Sequence, residues 1–274
     1  MKPAELFTPY TEGIFAIPAE QYFAAPGVSH SMLKEMEPTP AHLQAYLAEE
    51  HEPSAEMVLG TLTHSRILTP DEPLPRLAVK PADMKFSTRE GKAWRAEQQA
   101  AGLLIVTAAE HDALLGMSRS VGAHPLASRM LSSGLTEASA FCAFQLEGGG
   151  CLRKGRFDMV PAANVLCDVK TTVDASPEAF RRDLVEKGYA TQAAYYLDLW
   201  NDLMPDDRRE GFVFFVVEKK PPYLVAAYQV HANALSWARA RNVNRLATYI
   251  RCTVEDRWPG YPEEIGRASC RERV

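Results

Sequence analysis

The sequence predicts an α/β protein in which a mostly helical first half leads into a mixed central β-sheet flanked by helices. Three observations carry this. Cap signals and helically spaced apolar residues fill the first 134 positions, the period changes to two from Glu137, and Phe212 to Val217 is an unbroken apolar run of strand length. At 274 residues, with 46% hydrophobic and 24% charged side chains, the chain can bury one large core or two modest ones. We read residues 1–263 as a single domain, with 1–134 its helical part and 135–263 its α/β core.

The elements follow in order. Pro26 to Ser31 is a turn leading into a short helix at Met32–Met36, and Thr39-Pro40 opens a second over Ala41–Glu50. Proline at the first helical position supplies the required φ and lacks an amide that would go unpaired. Ser54–Leu68 is a third helix, with Met57, Val58, Leu62 and Ser65 on one face and Gly60 allowing close packing. The proline-rich stretch Pro70–Pro81 reads as an extended connection. Ser87-Thr88-Arg89-Glu90 and Thr107-Ala108-Ala109-Glu110 carry the capping-box pattern and predict helices to about Ala101 and Gly122, with a further helical turn at Pro125–Ser132.

Ala138–Leu146, Cys151–Val160 and Asn164–Thr171 read as a three-stranded meander joined by Gly148-Gly149-Gly150 and Pro161-Ala162-Ala163. Ser176-Pro177-Glu178 caps a helix to Lys187, and Thr191–Leu203 forms another. Gly211–Lys219 is a strand buried on both faces, Tyr223–Val230 its partner, and Asn233–Arg251 a long helix. Glu264 to Val274 is a basic run without apolar period; it resembles the translation of a sequencing adapter, and we set it aside as a tail.

Composition excludes several classes. No apolar run approaches the ~20 residues of a membrane helix and no secretory leader is evident, so a cytoplasmic protein is expected. Five cysteines (Cys142, Cys151, Cys167, Cys252, Cys270) without a CxxC pair argue against a disulfide framework or a cysteine zinc site. Thirty basic against 35 acidic side chains give a net charge of −5, so contact with a polyanion must be local. Arg181-Arg182, Lys219-Lys220 and the run Lys80, Lys85, Arg89, Lys92, Arg95 are the places where a phosphate backbone could be tracked.

Asp158 and Asp168 fall on the two arms of the second hairpin and become cross-strand neighbours in a plausible register. Lys170, two residues beyond Asp168, shares its face, whereas Cys167 and Val169 point into the core. Two carboxylates and an ammonium among apolar neighbours are costly to assemble without a ligand, and a divalent metal relieves that cost. Taken singly, these residues have ordinary readings: a turn aspartate, a surface ion pair, and, for His64, a packed helix residue.

In combination they resemble the PD-(D/E)xK nuclease superfamily, with Asp168-Val169-Lys170 as its acid-x-Lys element. Gly155-Arg156-Phe157-Asp158, the Gln192…Tyr196 pair and Gly60-Thr61-Leu62-Thr63-His64 are similar to motifs of the RecB-like and RecE-like branches, in the same order. Ser29-His30-Ser31 with Thr39-Pro40-Ala41-His42 resembles the opening of the phage-type RecE exonuclease domain. The resemblance implies a restriction-endonuclease-like core. It also implies His64, Asp158, Asp168 and the Val169 carbonyl as ligands of Mg²⁺, for which Mn²⁺ can substitute. Glu137 matches a further acidic position. Lys170 would orient or deprotonate the attacking water, with its pKa depressed by the metal. Gln192, Tyr196 and Arg156 would contact DNA or brace the site.

The implied activity is digestion of double-stranded DNA from its ends, 5′ to 3′. It would supply single strands to a phage annealing protein, from a ring-shaped homo-oligomer with a basic channel and an acidic exterior. Two alternatives stand beside it: another nuclease of the superfamily, an endonuclease or a CRISPR-associated end trimmer, and a non-catalytic DNA-binding module.

Overall fold

The two-residue periodicity that sets in near Glu137 produces the strands on which the molecule is laid out. The computed structural model describes residues 1–2, 7–8, 11–49, 55–69 and 77–263. The first part runs β1 (Gly13–Phe15), α1 (Ala19–Ala24), α2 (His30–Glu35), α3 (Pro40–Ala48) and α4 (Ala55–Leu68). A βαβ unit follows, β2 (Leu77–Lys80), α5 (Arg89–Ala100) and β3 (Leu104–Thr107), and then α6 (Ala108–Ala123) and α7 (Pro125–Leu131). The remainder is β4 (Gly134–Leu146), β5 (Gly149–Pro161), β6 (Val165–Thr172), α8 (Pro177–Glu186), α9 (Tyr189–Leu203), β7 (Gly211–Glu218), β8 (Val225–Gln229) and α10 (Ala232–Glu255).

The main sheet has the order β1-β4-β5-β6-β7-β8. Only β6 and β7 pair in parallel, because α8 and α9 carry the chain back across one face between them. On that face α8, α9 and α10 cover a core built from Phe157, Leu166, Phe180, Trp200, Phe212 and Phe214. On the other, α4, α6 and α7 cover Met159, Cys167, Val169, Val213, Phe215 and Val217. Alternate residues of β6 and β7 thus enter opposite cores, which is why both strands read as nearly continuous apolar runs.

The fold corrects the sequence expectations at three points. Strands β1, β2 and β3 went unpredicted, since three or four residues are too few to display an alternation; β1 exists because it pairs with β4, and β2 with β3 because α5 returns the chain beside it. The cap of α5 is Thr88, whose Oγ1 accepts from the Gly91 amide at 3.1 Å, so the helix starts one residue later than the Ser87 box predicts. The Thr107–Glu110 box, in contrast, is complete, with both reciprocal hydrogen bonds formed. Gly60 packs against nothing among the described residues: a Cβ there would meet no heavy atom within 4 Å. Ser54, most of Pro70–Pro81 and the segment from Glu264 lie outside the described residues. No helix among those described is long and apolar enough to cross a membrane.

Candidate active site

The site forms where β4, β5 and β6 lose their regularity together. Met159 pairs with Cys167 in the antiparallel β5/β6 ladder, and by that register Asp158 falls opposite Asp168. On the other side, β4 pairs Thr136 with Met159 and Ala138 with Phe157, yet Glu137, opposite Asp158, is skipped and holds a left-handed φ of 50°. The two faces of β5 exchange here. Phe157 and Val160 both lie in the core under α9, while Met159 between them lies in the core under α6. Asp158 is thereby released from the ladder, and its Oδ2 accepts the Val169 amide at 3.0 Å.

Asp168 is buried, with 1% of its surface exposed. Its Oδ1 accepts from Gln192 Nε2 at 2.8 Å, and its Oδ2 lies 2.7 Å from Lys170 Nζ, off the hydrogen-bonding direction, so that oxygen takes no well-directed bond. His64, brought in by α4, places Nδ1 at 3.4 Å from Asp158 Oδ2. Burial and the neighbouring Asp168 charge push the Asp158 carboxyl up to about 6, against the opposing pull of His64 and Lys170. Burial by itself would lower the Lys170 ammonium, but Asp168 and Asp158 outweigh it and hold the group above its ordinary range. Without a metal, Lys170 is therefore held in its charged form by the two carboxylates.

Its stem is also fixed. The ammonium sits 5.1 Å from the Tyr189 ring centroid and 5.9 Å from that of Phe214. Tyr189 went unnoticed in the sequence, although it stands three residues before Gln192 on the same helical face.

The structure thus brings His64, Asp158, Asp168, Lys170, Gln192 and the backbone of Val169 to one place. Tyr196 stands behind β5, its ring edge-on to Phe157 at 5.4 Å. Gly155 makes this approach possible, since a Cβ there would lie 2.8 Å from Leu199 Cδ2 and 3.3 Å from the Tyr196 ring. Arg156 donates to Glu137 at 2.6 Å, to Ser139 Oγ at 2.7 Å and to the Ile17 carbonyl at 2.9 Å. Glu137 and Arg156 are thus engaged with each other, bracing the strand irregularity.

Among the described residues no three His, Cys, Asp or Glu side chains stand close enough together to form a ready metal cage. The donor set nevertheless suits a hard divalent cation in kind: two carboxylates, one of them with a buried oxygen lacking a hydrogen bond, and a single imidazole.

Among solved structures, the fold is similar to that of a Eubacterium rectale protein provisionally described as an exonuclease, with 14% identity, a TM-score of 0.54, and coverage of 91% of this chain and 96% of that one. A second solved chain, SSO0001, is 16% identical over 72% of this chain and 95% of its own, at a TM-score of 0.30 too low to support a shared fold. Curated protein sequences yield no significant match. A family profile spans residues 29–273, including most of the segment set aside above as a tail, and on that match the chain belongs to the PDDEXK-like domains of unknown function (DUF3799).

Proposed function

We propose that the protein is a metal-dependent nuclease that hydrolyses DNA phosphodiesters from the ends of a duplex. The observation that carries this reading is the buried Asp168, held by Gln192 and Lys170 and set across from an Asp158 that the broken ladder has freed. So many desolvated charges at a strand irregularity cost stability, and such groups gather where chemistry needs them. Family membership supports it, as does the name given to the Eubacterium rectale protein.

Asp158, Asp168 and His64, with the Val169 carbonyl, would hold Mg²⁺ or Mn²⁺. When bound, such an ion supplies Lewis acidity and an activated water for phosphodiester cleavage. The chain's own contributions are electrostatic and positional. Lys170, kept charged by the two carboxylates and clamped against Tyr189, offers a fixed ammonium to a phosphoryl oxygen or to the attacking water. Gln192 sets the rotamer of Asp168, and the Val169 amide that of Asp158. The 5′ to 3′ direction, an annealing partner and a ring assembly belong to the same proposal and rest on the RecE-like motifs alone.

The test compares linear and closed-circular duplex DNA with Mg²⁺ or Mn²⁺. Digestion of the linear form alone is expected, and Asp168→Ala should lose at least about a hundred-fold in rate, the scale of removing one transition-state electrostatic group, while still binding DNA. Cutting of circles would replace the exonuclease reading with an endonuclease one. No digestion of either form would end the enzyme reading.

A further inference from the structure

Beside α4 lies a groove of 810 Å³ that the candidate active site does not use. Val58 and Leu59 of α4 form one wall, β3 the floor, and Phe86 with Arg95 the far side. Two cations attend the Phe86 ring: Lys80 Nζ lies 5.7 Å and the Arg95 guanidinium 5.5 Å from its centroid, and Trp94 stacks on it at 6.3 Å and 20°.

The local charge is opposite to that of the molecule. Residues 80–95 contain five basic side chains (Lys80, Lys85, Arg89, Lys92, Arg95) against Asp83 and Glu90, a net +3 within a chain of net −5. Glu110, the acidic residue of the groove wall, is tied to its own helix end, accepting from the Thr107 amide and hydroxyl.

Helix α4 joins this groove to the catalytic carboxylates. Gly60 and His64 are four residues apart and so share a face, separated by roughly 6 Å along the axis. Gly60 is half-buried, yet the space a Cβ would enter is open among the described residues. The groove wall at Val58 and Leu59 and the site residue His64 therefore lie within two turns of one helix.

We infer that this groove holds unpaired bases of a DNA single strand beside the bond being cut, with a base against Phe86, which Trp94 backs, and its phosphates on Lys80 and Arg95. The placement beside the cut rests on the nuclease reading; the binding does not. Aromatic faces with interleaved cations recognise unstacked bases, whereas a duplex keeps its base faces covered. The basic run, on this view, is a strand guide that an otherwise acidic protein confines to one arm.

The experiment measures anisotropy of a labelled short oligodeoxythymidylate and of a duplex of equal length, in EDTA, with the full chain. Phe86→Ala should weaken single-strand binding about ten-fold, the loss expected for one stacked base. Arg95→Gln, an exposed change that spares the fold, should weaken it and flatten the salt dependence of log K by about 0.7. Hydrolysis of bis(p-nitrophenyl) phosphate with Mn²⁺ should be the same in Phe86→Ala as in the unaltered protein. Unchanged single-strand affinity in both variants would overturn the inference and leave the nuclease reading intact, as would equal losses for duplex and single strand. Undiminished digestion by Asp168→Ala would instead overturn the nuclease reading, and the anisotropy arms would still report on the groove.

Discussion

Replacing Asp158 by Asn should stabilise the metal-free protein, an outcome opposite to that of most buried polar substitutions. The Asp158 carboxyl is raised from its ordinary value of 3.8 to about 6. The folded chain therefore holds a proton that the unfolded chain releases earlier. Stability from this group is fully present below about pH 4 and is lost as pH rises through 6, because between those values the native state binds more protons than the unfolded state. Two pKa units or slightly more correspond to ~3 kcal/mol at neutral pH. For a chain of this size that amounts to a melting-temperature difference on the order of 5–10 °C. Asn keeps an oxygen at the Oδ2 position, where it accepts the Val169 amide and faces His64 Nδ1 as the carboxylate does, so the Val169 hydrogen bond survives the exchange.

The assay is thermal or urea unfolding of both proteins in EDTA at about pH 4 and about pH 7.5. The variant should match the parent in acid and exceed it at the higher pH. Saturating Mg²⁺ should then close the gap from the other side, adding ~2.7 kcal/mol to the parent alone at a hundred times its Kd. A variant less stable than the parent at pH 7.5, or a difference that ignores pH, would refute the claim that Asp158 is held at an electrostatic cost.

Two further outcomes test the frame around the site. Gly155→Val should lower stability by about 1–3 kcal/mol, because its side chain would be forced into Leu199 and Tyr196 of α9; a smaller loss by urea titration would show that α9 can shift without penalty. His30 is bonded to Thr191 Oγ1 at 2.9 Å, and burial, reinforced by Arg245, Lys170 and Lys34, holds its imidazole down to about 3. Its contribution is fully present above about pH 6.5 and declines as pH falls toward 3, by roughly 2 kcal/mol at pH 5. Urea unfolding of His30→Gln should lack that acid-side loss, and an identical decline in both proteins would assign it elsewhere.

Much of the site was legible because it depends on local spacing. Asp168 and Lys170 share a face by the two-residue period of a strand, and Gln192 meets Asp168 because the helix after β6 must return across that face to build the parallel β7. The groove at Phe86 stayed hidden because it needs two strands of four residues each, which acquire their structure only by pairing.

The amino-acid order alone determined the helices α2 to α10, the meander, the strands β7 and β8, the completed cap at Thr107 and the segments bearing His64, Asp158, Asp168 and Lys170. These follow from φ preferences, capping and hydrophobic period, all of which act within a few residues. Tertiary structure decided the rest: the exchange of faces at Asp158, the Glu137–Arg156 brace, the charged state of Lys170 and the open space along α4 at Gly60. Each of these depends on the field or the volume left by residues distant in the chain, and such quantities exist only once the sheet and helices are assembled.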